Sequence, residues 1–179
     1  MRWVPMAQEL ARLGYVAIYP DIRYLDVEKG PSDCEAVAGW LANHGVERVG
    51  IVGGSAGNNP TLSAVQLFPD IFDSYVDLYG GLGVSSWRHL DEERIEAMRA
   101  PVLMQVGGND ARALENAELL SWRISEITPD HPQHLRVYNG EGHGFFFGES
   151  PAAVEAQRNL VVFLNWSLRD GPQPSWYVW

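Results

Sequence analysis

The chain reads as an α/β protein, with a doubly wound, mostly parallel sheet and helices on both faces. Three observations carry that expectation. Five short apolar runs alternate with amphipathic, helix-like stretches. The runs are near-continuously apolar, as strands covered on both faces are. Four of the five end in glycine, where the chain turns before the next helical pattern. Strands separated by helices need crossover connections, which favour parallel pairing of right-handed topology.

The elements follow in order. Residues 4–13 predict a helix, and YVAIYP (15–20) is a β-branched and aromatic strand-like run stopped by Pro20. Residues 32–43 predict a second helix, with Ser32 and Glu35 at the spacing of a capping box. RVGIVG (48–53), SYVDLYG (74–80), PVLMQVG (101–107) and LRVYNG (135–140) are the remaining strands. Helical patterns cover 60–67, 112–127 and 151–168. Gly171, Pro172 and Pro174 end the last helix near residue 169 and leave an aromatic tail over 170–179. Its Trp176, Tyr177, Val178 and Trp179 are too apolar to float free, so the tail is expected to dock on the chain's own surface or across a dimer interface. With no internal repeat or low-complexity linker, residues 1–179 read as one domain.

Composition narrows the function classes. Thirteen basic and 23 acidic residues give a net charge of −10, without any Lys/Arg cluster. That balance works against nucleic-acid or polyphosphate partners. No apolar run approaches the ~20 residues that span a bilayer, so no membrane partner is expected. The first twenty residues are broken by Gln8, Glu9 and Arg12 where a secretory signal needs an unbroken apolar stretch. A single cysteine, Cys34, is compatible with a reducing compartment and reads as a small buried hydrophobe, so a cytoplasmic location is expected. No pair of histidines has metal-ligand spacing beside a Cys or carboxylate, and no metal or cofactor is expected.

In doubly wound sheets ligands sit beyond the carboxyl ends of the strands, so the loops there carry the chemistry. After RVGIV comes Gly53-Gly54-Ser55-Ala56-Gly57, a G-x-S-x-G pattern. It is either a small-residue turn closing a strand or a sharp strand-to-helix bend holding Ser55 out as a nucleophile, the glycines avoiding clashes on either side. In the second reading the Ala56 N–H, at a helix N-terminus, meets an oxyanion. No G-x-G-x-x-G register and no Gly-Lys-Ser/Thr is present, which removes the dinucleotide and P-loop readings. The loop after PVLMQV holds Asp110, and the loop after LRVYN holds His143. Either alone is an ordinary turn residue. Together they complete the order Ser, Asp, His, each just past a strand. His143 would then exchange the Ser55 proton and Asp110 would orient the imidazole.

With these residues in place the chain resembles the α/β-hydrolase superfamily, in particular its dienelactone hydrolase-like and prolyl oligopeptidase-like esterase branches. The resemblance rests on LARLGYVAIYPDIR (10–23), GIVGGSAG (50–57), PVLMQVGGND (101–110) and GEGHGFF (140–146). It implies cofactor-free serine hydrolase chemistry on Ser55, Asp110 and His143, with small ester or related acyl substrates. In such sheets residues 80–100 stand at a position for a lid or acyl-pocket segment; Trp87 is either a pocket wall or packing for a connecting loop, and Tyr79, just before it, is a second expected substrate contact.

Two departures from the family pattern bear on mechanism. Asn58, Asn59 and Pro60 stand where a second glycine usually opens the nucleophile helix, so that helix is expected to begin late or distorted. The family also places a strand and a His-Gly-Gly-type oxyanion loop before the segment matching RWVPMAQELARLGY (2–15), and neither precedes it in this sequence. Two strands would then lack their usual neighbour, to be repaired by a rearranged strand order, a partner subunit (a homodimer among them) or further residues in the natural protein. The leading expectation is a serine hydrolase cleaving small carboxylic esters. The alternative is a catalytically weak or inactive α/β-hydrolase-like domain used for binding or assembly.

Overall fold

The computed structural model describes residues 3–80 and 86–177. Helices α1 (Val4–Arg12) and α2 (Lys29–Asn43) precede strand β1 (Gly50–Gly54). Helix α3 (Asn58–Leu67), strand β2 (Ser74–Leu78), the short helix α4 (Glu92–Ala97) and strand β3 (Val102–Gly107) follow. Helix α5 (Ala111–Ile127), strand β4 (Gln133–Tyr138) and helix α6 (Pro151–Arg169) complete the order. The four strands pair in sequence order, β1-β2-β3-β4, and every pair is parallel.

The sheet separates two apolar layers, as its strand sequences demand. Every residue of β2 and β3 is buried. Tyr75, Val102 and Met104 face a layer built with Leu62 and Val65 of α3 and Leu120 and Ile124 of α5. Val76, Leu78 and Leu103 face the other layer, built with Met6 of α1 and Leu160 and Phe163 of α6. Sequential parallel strands with crossovers of one hand put their connecting helices on one face, so α1 and α6 must close the other. Among the described residues no helix is long and apolar enough to cross a membrane.

The structure departs from the sequence expectations in three places. Residues 15–20 form no strand. They run beside a cleft of about 1080 Å³ whose far wall is β1, with Val16, Ile18 and Tyr19 exposed. A strand exists only where a neighbour's N–H and C=O groups come within reach, and none does here. β1 is accordingly an edge of the sheet. The Ser32–Glu35 capping box does not form, because α2 starts three residues earlier. Asp26 accepts the N–H groups of Glu28 and Lys29 and so supplies the start, leaving Ser32 inside the helix. The third departure is α4, a short helix within residues 80–100 that is not among the expected helical patterns.

The tail takes the first of its two expected places. Tyr177 is buried on the chain's own surface, donates its hydroxyl to the Val102 carbonyl at 3.0 Å, and packs on Phe163 and Trp166. Trp176 lies under the Arg136 guanidinium. Val178 and Trp179 lie outside the described residues. Cys34 is buried, and desolvation pushes its thiol up to about 11, so it stays a neutral hydrophobe.

Candidate active site

The loop after β1 positions the first group. Gly54 ends the strand in extended conformation, and Ser55 then takes φ +53°, a left-handed backbone that a non-glycine residue rarely adopts. Such strain persists only where the surroundings enforce it, and it is concentrated at working sites. Ser55–Gly57 form one 3₁₀ turn before α3 begins at Asn58, so the helix does start late, and Pro60 sits within its first turn where a missing N–H is harmless. The two outer glycines are not equivalent. A Cβ on Gly53 would lie 2.1 Å from Thr61 Oγ1 and 2.8 Å from Asn58 Cα, whereas one on Gly57 meets nothing within 4 Å among the described residues. Steric necessity holds for Gly53 and not for Gly57.

The loops after β3 and β4 position the other two groups, and they are built as a pair. A Cβ on Gly107 would lie 2.5 Å from the Glu141 carbonyl oxygen, so glycine there lets the second loop lie directly on the first. The Asn109 N–H donates to the same carbonyl at 2.8 Å, and the Asn109 side chain donates to the Gly140 carbonyl at 3.0 Å. Gly140 and Gly144, both at positive φ, turn the chain around His143. Asp110 caps α5, one carboxylate oxygen accepting the Ala113 N–H. That bond fixes the carboxylate and leaves its other oxygen to face the histidine.

The three side chains meet in one row. His143 Nδ1 lies 2.5 Å from Asp110 Oδ2, and His143 Nε2 lies 2.8 Å from Ser55 Oγ. A carboxylate only accepts, so the ring proton belongs on Nδ1 and Nε2 is free to accept from the serine hydroxyl. The Asp110 side chain is 12% exposed and the His143 side chain 54%, an orienting group sheltered behind one that solvent reaches. Ala56, the expected oxyanion donor, is the exposed second residue of the 3₁₀ turn.

Tyr79 stands between these parts. It is buried, takes φ +42°, and meets the His143 ring edge to face at 5.2 Å. Its hydroxyl is 3.2 Å from where a Gly54 Cβ would be, and the Trp3 ring is 2.9 Å from the same point. Trp3 in turn packs edge-on against Phe147. Trp3 and Phe147 are site neighbours that the sequence reading missed. The run of phenylalanines directly after His143 was a signal for the second, while nothing local marks Trp3, 52 residues from Ser55. The Trp87 side chain and residues 81–85 of the expected pocket segment lie outside the described residues. The rest of that segment is pinned to α3: His89 is fully buried, with Gln66 Oε1 3.0 Å from Nδ1 and the Asn59 amide 2.7 Å from Nε2. Two clefts open from the row. One of about 1300 Å³ includes His143 and Phe147, and the 1080 Å³ cleft beside β1 includes Ser55.

Comparison with known proteins points to the same fold. The model of the Dienelactone hydrolase family matches residues 24–166. A predicted CIB-like hydrolase from Thermoplasma acidophilum superposes with a TM-score of 0.55 at 22% identity, over 73% of this chain and 56% of that one. A puromycin-hydrolyzing peptidase from Mycobacterium tuberculosis gives 0.65 at 20% identity, over 80% of this chain and 26% of that one. A dienelactone hydrolase from Anabaena variabilis gives 0.65 at 20% identity, over 82% and 63% respectively. At these identities the superpositions establish the fold, and the chain spans less than two thirds of each of the three. No curated protein matches the chain.

Proposed function

The chain belongs to the dienelactone hydrolase family, and from that premise we propose that it is a serine hydrolase cleaving small carboxylic esters through an acyl-enzyme on Ser55. The observation that supports the reading is the unbroken row from Ser55 Oγ through His143 to Asp110. As Oγ attacks the acyl carbon, Nε2 takes the hydroxyl proton and the carbonyl oxygen becomes an oxyanion. The Ala56 N–H, beside the N-terminus of α3, is one donor to it. Asp110 stabilises the imidazolium, which then gives its proton to the departing alkoxide as the ester C–O bond breaks. Water, deprotonated by the same nitrogen, attacks the acyl-enzyme and frees the acid and the serine. The exposure of His143 leaves water a direct path to that nitrogen. Tyr79, with Trp3 and Phe147 behind it, supplies an apolar wall for a small substituent.

The test is labelling by a fluorophosphonate probe and hydrolysis of a short-chain nitrophenyl ester, beside Ser55→Ala. Both signals are expected in the wild type and neither in the variant. A wild-type signal no higher than that of the variant would sink the reading and favour a binding domain built on the same fold.

A further inference from the structure

A buried carboxylate lies beneath the nucleophile turn. Asp77, in the fully buried strand β2, is 3% exposed and pairs in register with Gly53 of β1. Its Oδ2 accepts from Asn58 Nδ2 at 2.7 Å, and its Oδ1 accepts the Gly80 N–H at 2.7 Å. Asn58, 1% exposed, in turn accepts the Tyr75 hydroxyl on Oδ1 at 2.5 Å. No cation pairs with Asp77 among the described residues. Burying a carboxylate without a counter-ion is costly, and desolvation pushes this one up to about 6. A structural strand would be better served by an apolar residue, so the carboxylate's use lies in what it holds.

It holds both halves of the site. Asn58 directly follows the 3₁₀ turn that carries Ser55, and Gly80 directly follows Tyr79, whose ring abuts His143. The glycines nearby make room for this network. A Cβ on Gly80 would lie 2.1 Å from Asn58 Nδ2 and 2.5 Å from Asp77 Oδ1, and one on Gly53 would lie 2.6 Å from Asn58 Oδ1. Building on the serine hydrolase reading, we propose that Asp77 is a positioning residue: through Asn58 and the Gly80 N–H it sets the Ser55 turn and the Tyr79 ring against each other. Asn58 is thus the adapter that joins the carboxylate to the nucleophile turn.

The donors and acceptors can be exchanged, which makes the idea testable. Asn58→Asp sets two carboxylates face to face, and they must share a proton or part. In the double variant Asn58→Asp/Asp77→Asn every bond can be rebuilt: the residue 77 amide accepts the Gly80 N–H and donates to the residue 58 carboxylate, which still accepts the Tyr75 hydroxyl. From the elements packed around Asp77, the groups that face it are Asn58 of α3, Tyr75 of its own strand, Gly53 of β1 and Met104 of β3. Tyr75 is the one titratable group among them, its phenol pushed well above its ordinary value by burial and then by the Asp77 charge.

The expected result is a kcat of Asn58→Asp at least about tenfold below wild type at pH 8, with KM nearly unchanged and partial recovery toward pH 5.5. A misplacement of the nucleophile by about 1 Å suffices for a larger loss. The double variant should return to within about threefold of wild type, which a single hydrogen-bond energy allows. An Asn58→Asp protein that labels and turns over like wild type would overturn the proposal. So would a double variant that is folded by circular dichroism yet no faster than Asn58→Asp. If Asn58→Asp alone does not fold, recovery of fold and rate together in the double variant is the supporting result, and recovery of fold without rate is the overturning one. A wild type that fails to label at Ser55 would instead remove the hydrolase reading itself, which keeps the two failures apart.

Discussion

Two strand-like apolar runs of six residues each have opposite fates in this molecule. PVLMQV becomes β3, a buried strand with partners on both sides, and the loop after it places Asp110. YVAIYP, over 15–20, forms no strand and exposes Val16, Ile18 and Tyr19. The second run is held at its ends. The Arg169 guanidinium lies 3.7 Å from the Tyr15 ring centroid, and Asp33 pairs with Arg23 just beyond. The difference teaches that strand character is a property of the neighbour as much as of the run. On the β3–β4 side backbone pairing fixes the loops, and the loops fix the site. On the β1 side the edge is open, and Ser55 depends on its own turn and on the buried network beneath it.

The largest expected effect tests the well-built side. Asp110→Asn keeps the shape of the row but removes the acceptor that selects the Nδ1–H tautomer. Loss of kcat by about 10⁴-fold on a nitrophenyl ester is expected, as when the orienting carboxylate of a serine hydrolase becomes an amide. Melting temperature should hardly move, since the amide oxygen can still cap α5. A variant within tenfold of wild type would show that His143 is oriented by something else.

Truncations in the two runs should differ as sharply in stability. Leu103→Ala removes a fully buried side chain from β3 and should cost about 2–5 kcal/mol in urea unfolding. Ile18→Ala, at a side chain 42% exposed, should stay within about 0.5 kcal/mol. Equal losses at the two positions would mean that residues 15–20 are packed in solution and that the comparison is wrong.

Acid titration sharpens the same contrast. Burial lowers the His89 pKa to about 4 from an unfolded value near 6.5, so the unfolded chain binds the extra proton between those limits. The stability this represents is complete above about 6.5 and is lost as pH falls toward 4. Asp77 is the opposite case: folded near 6 and unfolded near 3.8, it binds the extra proton when folded, and its contribution is lost as pH rises through 6. The two slopes oppose one another across pH 4–6. Asp77→Asn should therefore make stability rise more steeply with pH over that window, by up to about 1.4 kcal/mol per pH unit. An unchanged slope would mean that folding does not raise the Asp77 pKa.

Much of this was legible in the sequence where the cause was local. Each strand that formed is an apolar run closed by a turn, and Ser55, Asp110 and His143 stand just past three of them. What was not legible depended on residues far apart. Whether 15–20 pairs depends on what lies beside it, and Trp3 reaches Gly54 only through the fold. The capping-box expectation failed for a nearer reason: Asp26 caps α2 before Ser32 can. Asp77 was visible as a lone acid inside SYVDLYG, but its meaning required Asn58 and Gly80 beside it.

The smallest effect separates the two glycines of the nucleophile turn. Gly53→Ala would drive a methyl group into Thr61 Oγ1 and the Asn58 backbone, and neither can retreat without moving α3, so clear destabilisation follows. Gly57 has ordinary right-handed angles, φ −67° and ψ −15°, with open space where a methyl would go. There alanine removes freedom from the unfolded chain alone and should stabilise the fold by about 0.4–1 kcal/mol. Chemical denaturation of the two variants side by side decides the matter. A Gly57→Ala protein as unstable as Gly53→Ala would mean that the glycine spacing of the motif is steric on both sides of Ser55, and that the turn in solution is tighter than its backbone angles imply.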